Sequence, residues 1–363
     1  MRRVFAMAAA ALLAAACVFP VEVAAVSARK AIVLDGATGR VLFEKDAHSR
    51  SLIASTTKIM TALVVCERCN VLDRMRIPEE AVGIEGSSMY LQAGEILTIQ
   101  DLLYGMMLRS GNDAAAALAI YCGGTIEGFA QLMNDKAREL GLDGTHFANP
   151  HGLDAPNHYS TAKDLAVLAA YAMENPIFAM TVGAKSVTIG SRTLTNHNKL
   201  LWRLDGANGV KTGYTRASGR ILVSGVNRQG RQLICVTIDA PDDWNDHILL
   251  LEQGFSQYRI AELVSAGQML GRIEVLGGTQ SSVTLEAAEN FCYPLAEGES
   301  VTLELPNAGF AYAPVVAGED AGVAHVLVDG KAAGTVRLRY GVTVEQKKEN
   351  EKSFWQRLLL GKA

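Results

Sequence analysis

At 363 residues and 49% hydrophobic content, the chain is long enough for more than one domain and able to bury sizeable cores. Its formal net charge of −4 lacks the basic excess of a nucleic-acid-binding surface, so no nucleic-acid partner is expected. Its six cysteines are too few and too scattered for a disulfide-framework protein.

Arg2 and Arg3 precede an Ala- and Leu-rich apolar run from Val4 to Val18. Small residues follow at Val23-Ala24-Ala25 and Val26-Ser27-Ala28, two alternative exits for a signal peptidase. The pattern reads as a secretory signal over residues 1–28. Pro20 and Glu22 cut the apolar run short of a membrane span. Removing Cys17 with the signal leaves Cys66, Cys69, Cys122, Cys235 and Cys292. One pair of these could form outside the cell, but the set reads as isolated core thiols. Cys66-Glu67-Arg68-Cys69 has no second ligand pair beside it, so no metal and no organic cofactor is implied.

Lys30–Asp35 and Val41–Lys45 are β-branched apolar runs flanking Asp35-Gly36-Ala37-Thr38-Gly39, a hairpin signal. From Ser55 the period becomes helical, with Ile59, Met60, Leu63 and Val64 on one face. Further helices are expected over Ile99–Leu108, Asp113–Tyr121, Ile126–Leu140 and Ala162–Met173, then strands over Ser186–Ile189, Ile221–Val226 and Leu233–Asp239. A last helix is expected over Trp244–Ile260. Strands, a helical block and strands again predict an α/β domain over residues 29–262, with the two ends of the chain meeting in one sheet.

Near Ala261–Gly271 the texture changes. Residues 263–345 carry short β-rich runs, such as Ser282–Leu285, Ser300–Leu305, Val323–Val328 and Gly334–Tyr340, separated by Gly, Asn and Asp turns. They predict a small C-terminal all-β domain. Residues 346–363 read as a charged linker, Lys347 to Lys352, and a short amphipathic helix with Phe354, Trp355, Leu358 and Leu359 on one arc. With Lys352, Arg357 and Lys362 near anionic headgroups, this tail is suited to a membrane surface.

Three triplets carry chemistry: Ser55-Thr56-Thr57-Lys58, Ser110-Gly111-Asn112 and Lys211-Thr212-Gly213. An S-x-x-K is weak alone, since Ser27-Ala28-Arg29-Lys30 and Ser160-Thr161-Ala162-Lys163 also fit. Ser27 lies at the signal junction, however, and Ser160 follows the S-x-N triplet. Only Ser55 opens an apolar helix ahead of the other two motifs. At i and i+3 of a helix the Lys58 amine can reach the Ser55 hydroxyl. It can act as base only when neutral, which requires its pKa to fall roughly 3 units from about 10.4. Burial and a second cation, for which Lys211 is the candidate, push that way.

In order and spacing these motifs resemble the penicillin-recognising serine enzymes, and more closely the low-molecular-mass penicillin-binding proteins that act as D-alanyl-D-alanine carboxypeptidases. Four stretches carry the likeness besides the triplets: Gly39 to Lys45, Leu108 to Ala115, Asn149-Pro150-His151-Gly152-Leu153, and Gly209 to Thr215. The resemblance implies a DD-peptidase/β-lactamase-like fold, an antiparallel sheet with a helical block, in front of the all-β domain and the tail helix. It implies a location at the outer face of the cytoplasmic membrane, in the cell-wall space. The partners it implies are peptidoglycan stem peptides ending in D-Ala-D-Ala, β-lactam antibiotics and the membrane surface.

The resemblance also assigns roles. Ser55 is the nucleophile, Lys58 its base, and Ser110 a proton relay to the leaving amine. Asn112 bonds the substrate backbone, Lys211 and Thr212 hold the terminal carboxylate, and Gly213 leaves room for close approach. The N–H groups of Ser55 and Tyr214 form the oxyanion hole. His197 stands where a basic residue commonly assists, and His151 reads as a structural loop residue. A β-lactamase of the same fold would want a glutamate base in a loop, whereas Glu127, Glu139 and Glu174 fall in predicted helices. A catalytically idle wall-binding protein is the other alternative, disfavoured by three intact motifs.

Overall fold

The protein is described by a computed structural model over residues 26–306 and 309–348. The signal run before Val26 and the tail helix around Phe354–Leu359 lie outside the described residues.

The hairpin forms as β1 (Lys30–Asp35) and β2 (Val41–Lys45). A 3₁₀ turn (Ala54–Thr57) leads directly into α1 (Lys58–Arg68). A small hairpin, β3 (Arg74–Arg76) and β4 (Ile96–Thr98), precedes α2 (Ile99–Leu108), α3 (Asn112–Gly123), α4 (Ile126–Glu139), α5 (Ala162–Glu174) and α6 (Pro176–Gly183). A second small hairpin, β5 (Ser186–Ile189) and β6 (Arg192–Thr195), and a single turn, α7 (Leu200–Arg203), lead to β7 (Ala207–Thr215), β8 (Gly219–Arg228), β9 (Arg231–Ile238) and α8 (Asp243–Gln257). The remainder is all strand: β10 (Tyr258–Val264), β11 (Met269–Leu276), β12 (Ser282–Ala287), β13 (Phe291–Ala296), β14 (Val301–Glu304), β15 (Phe310–Tyr312), β16 (Asp320–Val328) and β17 (Lys331–Tyr340).

The first sheet runs β2-β1-β9-β8-β7 with every neighbouring pair antiparallel, so the N-terminal hairpin closes beside the last strands, as expected. Its strands are apolar on both faces because both are covered. Ile32, Leu34, Ile221, Val223, Ile234 and Val236 face the helical block, while Ala31, Val33, Leu222, Leu233 and Cys235 pack with Leu250 and Leu251 of α8. The alternation along β1, β8 and β9 is that of a strand buried in three layers. Local chemistry sets the helix starts. Thr98 and Asp101 form a capping box, and Thr125 and Thr161 each accept a backbone N–H at i+3. A six-stranded sheet, β14-β16-β17-β12-β11-β15, and the β10–β13 pair make up the C-terminal part. Arg40 reaches across from the first hairpin to Glu299 and the Pro294 carbonyl, with its guanidinium over the rings of Tyr258 and Tyr293.

Several expectations are corrected. The helix expected from Ser55 begins as a 3₁₀ turn, because Thr56 N–H bonds back three residues to Ile53 O and the Thr57 hydroxyl to Ala54 O. The helix expected to reach Ile260 ends at Gln257, since Tyr258 onward pairs with β13. Helix α6 was missed although Asn175 caps it and Pro176 opens it, a readable signature. Not every thiol lies in a core: Cys66, Cys69 and Cys122 pack partly buried against the helical block and Cys235 is buried in the sheet, but Cys292 is exposed on β13.

Candidate active site

The turn carrying Ser55 is gripped from two sides. Ala54 has a left-handed φ of +45°, a strained conformation for a residue with a Cβ. Behind it, Gly152 sits at φ +92°, where an added Cβ would lie 1.9 Å from Ala54 O. In front, a Cβ at Gly213 of β7 would lie 3.3 Å from both Ala54 Cβ and Ile53 O. Gly213 thus leaves room for the nucleophile turn itself. Residues i and i+3 eclipse in a 3₁₀ turn, and the Lys58 amine stands 3.0 Å from Ser55 Oγ.

Lys58 is fully buried, and its Nζ has two further acceptors, Asn112 Oδ1 at 2.7 Å and the His151 carbonyl at 2.6 Å. Burial first, then the charge of Lys211, hold its pKa well below the ordinary lysine value, against a weaker opposite pull from Asp113. Asn112 opens α3, and its Nδ2 donates to Glu85 O. Asn112 N–H donates to Ser87 O at 2.7 Å. The Asp113 carboxylate accepts from Met89 N, Leu91 N and the Ser88 hydroxyl, fixing the segment that places Ser87 over the site. Both polar atoms of the Asn112 amide are therefore engaged inside the protein, one on Lys58, and a single Nδ2 proton remains for a substrate.

Lys211 is buried on β7 and donates to Thr212 O at 3.0 Å. Burial lowers its pKa to about 7. Ser110, buried, has a left-handed φ of +62°. Ser55, Ser110, Thr212, Gly213 and Tyr214 line one cleft of about 500 Å³; Lys58 and Asn112 stand behind Ser55, and the buried Lys211 adjoins Thr212 on β7. All eight residues singled out in the sequence are therefore brought together.

The same cleft holds residues that the motifs did not mark. Ser87, Arg220 and Trp244 line it; Arg220 faces Tyr214 across the β7–β8 register and bonds Asp243 at 2.8 and 2.9 Å. The His151 carbonyl is a backbone group, for which no residue type is a signal. Its ring is held well below the ordinary histidine pKa, at about 4, by burial and then Lys58, and accepts Leu153 N at 3.3 Å. His158 lies deeper: it bridges the Thr57 hydroxyl at 2.7 Å and Ala148 N at 3.1 Å, tying the loop to the turn. His197 lines the cleft as a neutral ring, its pKa lowered to about 4 by burial, then Lys211 and Arg109. Glu127, Glu139 and Glu174 are exposed on helices away from the cleft. Among the described residues, no group of three or more His, Cys, Asp or Glu side chains could hold a metal.

The assembly offers a serine with a buried lysine amine of lowered pKa against its hydroxyl and a cationic far wall, a combination suited to acyl transfer from a substrate with an anionic end. Residues 17–242 match a protein family described as D-alanyl-D-alanine carboxypeptidase, and residues 258–346 match the C-terminal domain of penicillin-binding protein 5. A D-alanyl-D-alanine carboxypeptidase of Bacillus subtilis is 32% identical over 320 residues, spanning 84% of this chain and 82% of that protein. One from Escherichia coli is 33% identical over 334 residues, spanning 86% and 83%. The crystal structure of penicillin binding protein 5 from Haemophilus influenzae superposes with a TM-score of 0.76 at 28% identity, covering 88% of this chain and 98% of that one.

Proposed function

The chain belongs to the D-alanyl-D-alanine carboxypeptidase family, and from that premise we propose that its cleft removes the terminal D-alanine of peptidoglycan stem peptides through an acyl-enzyme on Ser55. The observation that carries the assignment is the set of partners around Lys58. Two of its three acceptors are carbonyl oxygens, which can only accept. In the neutral amine both N–H groups are committed to them, and the lone pair points at the remaining partner, the Ser55 hydroxyl. Burial favours that neutral form. The geometry therefore supports Lys58 as the base that takes the Ser55 proton as Oγ attacks the carbonyl between the two D-alanines.

The oxyanion is assigned to the N–H groups of Ser55 and Tyr214, and Ser110 passes a proton to the departing D-alanine amine. Lys211 and Thr212 take the terminal carboxylate, with Arg220 adding positive charge at the cleft edge. Asn112 acts chiefly by holding the Lys58 amine, and only its free Nδ2 proton is assigned to the substrate backbone. Water then releases the acyl group. A β-lactam, with its strained amide and carboxylate, enters the same chemistry and stays as the adduct.

Export is proposed from the apolar leader. Ser27 N–H and hydroxyl and Ala28 N–H all bond the Asp246 carboxylate, which favours cleavage after Ala25 over cleavage after Ala28. The tail from Lys347 is proposed to rest on the membrane surface. Mass spectrometry after incubation with penicillin and, separately, with diacetyl-Lys-D-Ala-D-Ala tests the chemistry. A lasting adduct on the Ser55 peptide and free D-alanine are expected, and both vanish in Ser55→Ala. A fully active Ser55→Ala enzyme would overturn the assignment.

A further inference from the structure

Behind the nucleophile turn, the buried ring of His158 meets the buried hydroxyl of Thr57, 101 positions away in the chain. Their hydrogen bonds assign every proton. Ala148 N–H can only donate, so His158 Nδ1 accepts it at 3.1 Å. The Thr57 hydroxyl has one proton and gives it to Ala54 O at 2.8 Å. The ring's Nε2, 2.7 Å from that hydroxyl, is therefore the donor. Both ends specify one form of the ring, neutral with its proton on Nε2. Phe147 packs edge-on to it, with centroids 5.9 Å apart. The chain of donors, from Ala148 N–H through His158 and Thr57, ends on the carbonyl of Ala54, the residue before Ser55. A Cβ at Gly152 would lie 1.9 Å from that carbonyl oxygen and 2.8 Å from Thr57 Oγ1, so bare backbone there leaves the link its room.

We propose that His158 is a positioning residue for acylation, aiming the oxyanion-binding N–H of Ser55 through Thr57 and the Ala54 carbonyl. The Ala54–Ser55 peptide is trans and planar, so its carbonyl and its N–H point in opposite directions as one rigid unit. A hydroxyl pinned to the carbonyl oxygen on the buried side fixes where the N–H points on the other. That unit needs holding, because Ala54 has a left-handed φ of +45°, which costs a residue with a Cβ and persists only when its surroundings enforce it. A donor on the carbonyl also polarises the peptide and strengthens its N–H as a donor in turn. The ring's other nitrogen holds Ala148, in the loop whose His151 carbonyl takes the Lys58 amine. One side chain thus references both the nucleophile and an acceptor of its base.

The proposal rests on Ser55 as nucleophile, so penicillin labelling of the wild-type Ser55 peptide is measured first. An unlabelled wild type overturns that reading and the proposal with it; a labelled wild type with indifferent variants overturns the proposal alone. Gln at position 158 sets its amide nitrogen where Nε2 stands and still donates to Thr57, but offers Ala148 N–H nothing. Asn sets its oxygen where Nδ1 stands, keeps Ala148 and loses Thr57. Each variant gives up one buried hydrogen bond, so a merely structural role predicts similar melting losses and similar rates for the two. Instead, His158→Asn should lower both kcat for diacetyl-Lys-D-Ala-D-Ala and the rate of penicillin acylation about 10- to 100-fold with KM little changed, while His158→Gln stays within about 3-fold of wild type. Thr57→Val should match His158→Asn, and Thr57→Ser should keep the rate. The double variant Thr57→Val/His158→Asn should lose no more than either alone, because both cut one path. A folded His158→Asn enzyme at full rate, equal losses for Asn and Gln, or losses that multiply in the double variant overturn the proposal. Should His158→Asn fail to fold by circular dichroism, Thr57→Val against Thr57→Ser decides it, equal rates being the overturning result.

Discussion

The Lys58 amine lies behind Ser55 in a wall of buried groups, and its protonation state decides whether the serine has a base. Below its depressed pKa the amine carries three protons and donates all three, to Ser55 Oγ, Asn112 Oδ1 and His151 O. Above it, one site becomes a lone pair. Penicillin acylation is therefore expected to rise with pH along a limb well below the ordinary lysine titration near 10.4. Lys58→Gln can still donate to the two carbonyls but cannot take a proton, so kcat/KM for D-alanine release should fall by about 10³-fold or more. Its folding stability at pH 7 should hold or rise. A lysine whose folded pKa is lowered binds its proton more tightly in the unfolded chain, so replacing it removes a term that opposes folding at neutral pH. A variant that both unfolds and loses activity would contradict this account of Lys58.

At the scale of elements, the nucleophile turn is shaped by segments far from it in sequence. The left-handed Ala54 is fixed between Gly152 and β7, so Gly152→Ala meets both a positive φ and a backbone oxygen at 1.9 Å. It should cost about 2–4 kcal/mol of stability and remove most penicillin labelling. Gly213→Ala meets contacts of 3.3 Å and should be milder in stability while still shifting Ser55; urea unfolding with a fluorescent penicillin reads both. Equal behaviour of the two variants would count against a turn held mainly from behind. The contrast shows what was legible in the chain. The first hairpin and α2 were placed to the residue, because alternation and capping are local signals. The triplets were legible because each is a compact piece of chemistry: two stand where helices start, and the third lies within β7 beside the nucleophile turn. The 3₁₀ turn was not legible, since i and i+3 spacing is shared with an α-helix. The segment holding Ser87 and the His151 carbonyl depend on long-range packing, which carries no local pattern. Tyr258–Val264 kept an ambiguous period until β13 paired with it.

For the whole molecule, the distribution of neutral histidines makes acid a selective stress. His158 and His247 are fully buried. Burial, then His146 and Lys58, hold His158 at about 4, while burial holds His247 at about 3. His247 is bonded through both ring nitrogens, to the Ser224 hydroxyl at 2.6 Å and the Thr237 hydroxyl at 2.9 Å, between the first sheet and α8. These folded-state values lie below the unfolded value near 6.5, so the unfolded chain binds the protons first and stability is lost as pH falls from about 6.5. Each ring should remove on the order of 3 kcal/mol by pH 4. Neither ring lies in the strands from Met269 to Tyr340, so the two parts of the chain should respond differently even though Arg40 ties them together. Trp202 and Trp244 both belong to the first part and, in a Trp355→Phe background, report its packing. In moderate urea, their fluorescence change should move to lower urea as pH falls from 6.5 to 4, while the far-ultraviolet strand signal that remains after it, from β10–β17, shifts less. Coincident transitions would mean that the Arg40 contacts make one cooperative unit of the two parts. A fluorescence midpoint that stays fixed across that pH range would rule out the buried histidines as the source of acid sensitivity.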